Sequence, residues 1–428
     1  MKFAFYTLGC KVNQYETAAM QRQVIAAGHQ VVDAADMPDV FVLNSCTVTA
    51  ESDRKARQIM RRYRKSLPAA VTVLTGCLPQ AFPADAAALD AADIVLGNTT
   101  NDKLLDSVQR FIGSGERVVD IGTHLPDERF DTPTIDNFAE HTRAYIKIED
   151  GCNRFCTYCI IPYARGRVRS KAIDTLRCEV AELAANGYKE IVLVGINLSA
   201  YADGGHDLAD AVTAAASVGG IERVRLGSLE PDMMSDDMLS RLADCDKFCP
   251  QFHLSLQSGC DKTLKAMNRH YDSAFYYDLC CRIRAAFNNP SITTDIMVGF
   301  AGESDGDFEK SLAFADKVGF AQAHVFAYSQ RAGTVAAGRP DQVAKSVKEC
   351  RSRRMIEVTL KSQRSFWQSQ VGRKATVLVE RLARGKCTGY TENYTPVIFD
   401  GSSDLCGRTV KVKITGITDD GCTAVITE

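Results

Sequence analysis

The chain has 428 residues, 45% apolar and 24% charged, with no low-complexity run or repeat; this excludes a disordered chain and allows about three domains of ordinary size. A net charge of −2 excludes a global positive field, so any nucleic-acid contact must come from local basic patches. The start, MKFAFYTLGC, has no basic segment leading a long apolar stretch, and no apolar run reaches about 18 residues, which predicts a cytoplasmic protein without a membrane partner, whose 16 cysteines are thiols or metal ligands rather than disulfides.

Residues 1–122 alternate helical stretches with short apolar runs, KFAFYTLGC, DVFVLNSC, AVTVLTGC and ADIVLGN, and RVVDIG is a fifth candidate. The pattern predicts a parallel α/β domain. The first three runs end in Cys10, Cys46 and Cys77, and loops after the strands of an open parallel sheet emerge at one carboxyl edge. Three thiols distant in sequence are therefore expected to converge as a metal site, the alternative being isolated loop thiols. Within this domain residues 54–65, RKARQIMRRYRK, hold seven basic side chains and no acidic one. Residues 123–142 are polar, contain proline and lack periodicity, and read as a linker.

Residues 143–366 begin with six strand candidates, AYIKIED, EIVLVGI, RVRLGS, QFHLSLQS, SITTDIMVGF and AQAHVFAYS, separated by helical stretches. Repeated βα units predict right-handed crossovers and a partial six-unit barrel with its site at the carboxyl ends of the strands. Directly after the first candidate comes GCNRFCTYC, with Cys152, Cys156 and Cys159 spaced C-x3-C-x2-C. A 4Fe-4S cubane normally takes four thiolates, so three close cysteines leave one iron open to bind and polarise a ligand. A zinc knuckle would need a second cysteine pair, which the sequence does not offer. A basic group, Arg165, Arg167, Arg169 and Lys171, follows, and residues 342–366 read as a basic helix. Residues 367–428 carry the runs KATVLVER, TPVIFD, TVKVKITG and CTAVITE, which predict a small antiparallel β-barrel. Trp367 is expected to be its packing anchor rather than a base-stacking platform. From residue 368 onward eight basic and seven acidic residues leave this part about neutral.

GCNRFCTYC resembles the radical S-adenosylmethionine signature. The longer run GCNRFCTYCIIPYARGRVRS, with HLSLQSGCDKTLKAMNRHY and GFAGES, is similar to the methylthiotransferases of that superfamily, over essentially the whole chain. The resemblance implies a flavodoxin-like N-terminal domain, a radical barrel and a C-terminal barrel of the TRAM type, often used to hold RNA. It implies two 4Fe-4S clusters: an auxiliary one on Cys10, Cys46 and Cys77 that carries the sulfur to be inserted, and a radical-generating one on Cys152, Cys156 and Cys159. S-adenosylmethionine would be used twice, for methyl transfer and to remove hydrogen from an unactivated carbon. Side-chain acid-base chemistry does not reach such a C–H bond, so the cofactors carry that step while the protein orients and shields them.

The same resemblance sets Tyr158 near the adenine of S-adenosylmethionine, and Gly195, Asn197, Ser228, Glu230 and Gln257 around the rest of it. The structural alternatives are a turn at Gly195, a helix cap at Glu230 and a loop anchor at Gln257. The run TLGCKVNQYET, mainly Lys11, Val12 and Asn13, resembles the branch acting on threonylcarbamoyl-adenosine at position 37 of the tRNA anticodon loop. Branches acting on isopentenyl-adenosine or on a ribosomal-protein aspartate differ there. The expected partners are tRNA and an electron donor such as flavodoxin or ferredoxin. Arg61, Arg62 and Arg64, with Arg165, Arg167 and Arg169, are expected to track the RNA backbone. A non-catalytic iron-sulfur or zinc RNA-binding protein is the competing class.

Overall fold

The computed structural model describes residues 1–125, 128–130, 133–138 and 142–427. The chain divides into two compact units. One comprises Met1–Asp136, Glu149–Lys171 and Ser329–Gly338; the other comprises Asn137–Ile148, Ala172–Tyr328 and Arg339–Glu428.

The first unit is built on a six-stranded sheet in the order Gln30–Val31, Lys2–Thr7, Val40–Ser45, Val71–Gly76, Ile94–Leu96, Val118–Asp120. Every pairing is parallel. The strand VFVLNS is buried at every position, because a parallel sheet is covered on both faces and so needs apolar residues on both. Alternate side chains enter two cores. Phe41, Leu43 and Leu74 meet Met60 of helix Ala50–Ser66 on one side, while Phe3, Val42 and Val73 meet Val24 and Val108 of helices Lys11–Ala26 and Leu104–Ser114 on the other. Each such side chain contributes about 1.5–3 kcal/mol when fully buried. Glu149–Asp150 pairs antiparallel with Arg169–Ser170 and closes the intervening residues into a loop carrying the short helix Ile161–Arg165. Residues 123–142, expected to be a linker, lie partly outside the described residues. Among the described ones Ile135 and Phe138 are buried, and Tyr15 and Arg22 donate to the carbonyls of Pro133 and Thr134 at 3.0 and 2.9 Å.

In the second unit two parallel sheets follow one another. The first has the order Arg223–Leu226, Glu190–Val194, Ala144–Lys147, and the second Ser228–Leu229, Gln251–Leu254, Ser291–Val298, Gln322–Ala327. Arg223–Leu226 runs through Gly227 into Ser228–Leu229, and Val224 bridges to Phe248 just before the next strand. The result is one open, partial (β/α)6 barrel. Helix Lys345–Gln370 then leads to a closed five-stranded barrel in the order Lys374–Ala383, Lys386–Thr391, Pro396–Asp400, Cys422–Ile426, Thr409–Ile417. Its pairings are antiparallel except that of Pro396–Asp400 with Cys422–Ile426. Trp367 lies in its core with Val377, Val379, Phe399 and Ile414, a packing anchor as expected.

A buried charge network joins this small barrel to the parallel strands. Glu190, 1% exposed, accepts from Arg225 Nε at 3.0 Å and from Arg223 at 3.5 Å, with Arg143 also 3.5 Å away. The same arginines reach the small barrel: Arg143 pairs with Glu380, Arg223 donates to the Thr376 carbonyl, and Arg225 donates to the Glu392 carbonyl. Tyr390 and Tyr394 stack with centroids 4.4 Å apart, and Arg143 lies 5.0 Å from each. Burial alone would raise the Glu190 carboxyl, but Arg225, Arg143 and Arg223 outweigh it and hold it down to about 2.

Candidate functional site

At the carboxyl edge of the six-stranded sheet, Cys10 precedes helix Lys11–Ala26, Cys46 follows the strand ending at Ser45, and Cys77 opens the short helix Cys77–Ala81. Gly9 has φ +119°, and a Cβ there would lie 2.9 Å from that of Cys46, so the first two loops touch. Cys10 Sγ donates to Asn13 Oδ1 at 3.2 Å, and the Asn13 amide nitrogen in turn reaches Asn44 Oδ1 at 3.1 Å and the Ser45 carbonyl at 3.2 Å. Asn98 Nδ2 stands 3.8 Å from Cys77 Sγ. Burial pushes the Cys46 thiol up, with Cys10 adding to it. It pushes Cys77 up to about 11, opposed by Arg165, while Cys46 and Cys10 reinforce it. The three cysteines thus follow parallel strands at one edge of the sheet, the placement the strand endings predict.

Arg165 is the surprise of this edge. It is 0% exposed, with Nε 3.3 Å from Cys77 Sγ, a two-pronged pairing to Glu16 that includes Nη2 to Oε2 at 3.0 Å, and Asp150 3.6 Å away. It is not a surface RNA contact, and that expectation is corrected here. Metal-binding sulfur is thiolate, and a buried cation on Cys77 suits a donor set that carries negative charge. Asn98 Oδ1 and Thr75 Oγ1 are also buried without a protein partner at this edge.

The loop with Cys152, Cys156 and Cys159 belongs to the same unit. Gly151 has φ +85°, and a Cβ there would meet the Arg167 carbonyl at 1.9 Å, which only glycine avoids. Cys152 N donates to the Gly166 carbonyl at 3.1 Å, and Cys159 N to the Cys156 carbonyl at 2.9 Å. The N–H two residues beyond a cysteine points back to its sulfur in both triads: Val48 to Cys46 and Arg154 to Cys152, each at 3.5 Å. Such donors favour thiolate. All three cysteines and Tyr158 are partly exposed. Among the described residues no three His, Cys, Asp or Glu side chains close on a point as ligands of one metal ion do.

Segment Ser329–Gly338 returns to this unit and holds both cysteine loops. Arg331, 4% exposed, donates to Thr47 Oγ1 at 2.7 Å and to Asp53 Oδ2 at 2.6 Å, just beyond Cys46. Ala336 N donates to the carbonyl of Thr157 at 2.8 Å, between Cys156 and Cys159. Arg331, Asp53 and Glu16 carried no sequence signal, since their partners lie far away along the chain.

In the second unit the residues expected around S-adenosylmethionine lie on successive loops after parallel strands. Asn197 is 7% exposed, and Ser199 Oγ accepts from Glu230 N at 2.9 Å, joining the first two loops. Glu230 pairs with Arg269, which also donates to the Ser255 carbonyl at 3.0 Å, joining the third. Gln257 takes φ +66°, is 8% exposed, and its side-chain Oε1 is buried without a partner. A left-handed backbone in a large residue with an orphaned acceptor marks a constrained site. Gly195 is half-buried and Ser228 exposed.

Of the other basic residues, Arg61, Arg62 and Arg167 are exposed, and Arg167 lies 4.9 Å over the Phe155 ring. Arg64 forks onto Asp93, with one prong at 2.8 Å. Arg169 donates to the Arg165 carbonyl at 2.7 Å and pairs with Asp150 at 3.2 Å, so both already have internal partners.

Residues 146–315 match the radical SAM superfamily, residues 2–97 match an uncharacterized protein family, UPF0004, and residues 368–420 match the TRAM domain. The chain is 35% identical over 422 residues to threonylcarbamoyladenosine tRNA methylthiotransferase MtaB of Bacillus subtilis, covering 96% of this chain and 93% of that one. The chain belongs to the radical SAM tRNA methylthiotransferase family. This methylthiotransferase is also 36% identical to the protein of the same description from Aquifex aeolicus, over 97% of this chain and all 100% of that one. It is 32% identical to a tRNA-2-methylthio-N(6)-dimethylallyladenosine synthase of Clostridium perfringens, over 96% and 94%. Among solved structures, the radical S-adenosylmethionine methyltransferase TsrM of Kitasatospora setae superposes with TM-score 0.58 at 13% identity, over 78% of this chain and 77% of that one; this likeness is one of fold. The methylthiotransferase is a tRNA-modifying enzyme of the kind that uses S-adenosylmethionine and a 4Fe-4S cluster. Among the described residues no helix is long and apolar enough to cross a membrane.

Proposed function

We propose that the enzyme converts threonylcarbamoyl-adenosine at position 37 of tRNA to its 2-methylthio derivative, using two 4Fe-4S clusters, in the cytoplasm and with a flavodoxin or ferredoxin as electron donor. The observation that carries the two-cluster reading is the meeting of Cys10, Cys46 and Cys77 around one sheet edge, separate in sequence from Cys152, Cys156 and Cys159. The base assignment is supported by the run TLGCKVNQYET and by the descriptions of the B. subtilis and A. aeolicus relatives. Bound clusters would supply an electron to S-adenosylmethionine and a sulfur to the base.

The chain's own residues do the rest. Val48 and Arg154 N–H groups and the Arg165 guanidinium favour the thiolate form of the ligands. Gly151 lets the loop turn without a clash. Gln257 offers its unpartnered Oε1, and Asn197 and Glu230 lie on adjoining loops fixed by Ser199 and Arg269, where a polar ligand such as the amino acid end of S-adenosylmethionine would be oriented.

The test is nucleoside mass spectrometry of tRNA bearing threonylcarbamoyl-adenosine after anaerobic incubation with cluster-reconstituted enzyme, reductant and S-adenosylmethionine. A methylthio mass gain on that nucleoside is expected. A gain only on isopentenyl-adenosine tRNA would reassign the base, in line with the C. perfringens relative.

A further inference from the structure

We infer that Arg165 sets the reduction potential of a cluster held by Cys10, Cys46 and Cys77, with Glu16 as the opposing charge. The inference rests on the reading that these cysteines hold a cluster. Arg165 is among the largest fully buried side chains of the protein, and a buried guanidinium is expensive unless all its charge is met. Its fork is met by Glu16, itself 3% exposed. A structural salt bridge needs no more than that fork. Asp150 lies 3.6 Å from Nη1 as a further carboxylate, yet Nε–H is turned to Cys77 Sγ at 3.3 Å.

Reduction adds negative charge to a cluster, and hydrogen bonds and net charge at its sulfurs are what set its potential. Arg165 and Cys77 are both buried, so a unit charge this close is screened less than in water. Arg165 therefore favours the reduced cluster and raises the potential, whereas the Glu16 carboxylate lowers it. Arg165 is also covalently continuous with the other triad, six residues after Cys159, so a shift of that loop would change the charge felt at Cys77.

The experiment uses full-length protein with Cys152, Cys156 and Cys159 replaced by Ala, reconstituted anaerobically with iron and sulfide and titrated redox-wise by electron paramagnetic resonance. Arg165→Gln should lower the midpoint potential and Glu16→Gln should raise it. The double variant should return close to the parent, and Arg165→Lys should lie between parent and Arg165→Gln. Shifts of the two single variants in the same direction, or no shift in either with iron retained, would overturn the inference and leave Arg165 a structural ion pair. Should Arg165→Gln lose its iron, Glu16→Gln still decides: an upward shift supports the assignment and an unchanged potential refutes it. A parent protein that binds no iron would refute the cluster reading itself, and the inference with it.

Discussion

Replacing Glu190 by Gln keeps the shape of the buried hub and removes the charge that three arginines share. The carboxyl moves from 4.5 to about 2 on folding, which at about 1.4 kcal/mol per unit is about 3 kcal/mol of stability near neutral pH. Breaking a buried pair by removing one partner costs about 3–5 kcal/mol in general, so the two routes agree. At about 2–4 °C per kcal/mol for a unit of this size, Glu190→Gln should lower the melting temperature by about 6–12 °C. Because folding depresses the carboxyl, its contribution is complete above the unfolded value and fades as pH falls from about 4.5 toward 2. The gap between wild type and variant should therefore be constant between pH 7 and 5 and narrow below that. Scanning calorimetry of both proteins across this range measures it. A gap absent at pH 7, or one that persists unchanged toward the folded value, would refute the reasoning.

Substituting both Arg61 and Arg62 by Ala should weaken tRNA binding and flatten the log–log salt dependence by about 0.7–0.9 for each phosphate no longer neutralised; an unchanged slope in a filter-binding titration would return this helix face to mere solvation. Gly151→Ala should abolish reductive cleavage of S-adenosylmethionine, since the added Cβ would meet the Arg167 carbonyl at 1.9 Å, and iron analysis should find the loss confined to the Cys152, Cys156 and Cys159 triad. Gln257→Leu should raise the Kd for S-adenosylmethionine about tenfold, the worth of about one good hydrogen bond to a charged group. An unchanged Kd by calorimetry, together with a higher melting temperature, would make Gln257 only a strained loop residue.

The sheets were readable in the sequence because parallel strands buried on both faces carry near-continuous apolar runs, as VFVL of Val40–Ser45 and IVLV of Glu190–Val194 do. The meeting of Cys10, Cys46 and Cys77 was readable for a topological reason, since consecutive parallel strands discharge at one edge. Arg165 and Arg167 mark where such reading stops. Two residues apart in one basic run, one is sealed against Glu16 while the other lies exposed over Phe155. Which side of a short helix end faces inward depends on packing partners elsewhere in the chain, and no local periodicity encodes it. The positive φ of Gln257 and the Glu190 hub were hidden likewise, because each is defined by strands that are separate in sequence.

The return of Ser329–Gly338 makes the first unit a matter of timing as well as of packing. A ribosome has to synthesise most of the chain before Arg331 exists to neutralise Asp53, and Arg165 must also have emerged before Glu16 finds its countercharge. Until then two carboxylates that end up 5% and 3% exposed lack these arginines. Excising the N-terminal segment at residue 122 would freeze the protein in that unfinished condition. The unit that gathers the three cysteines is thus complete only once Ser329–Gly338, its last-made segment, has been synthesised.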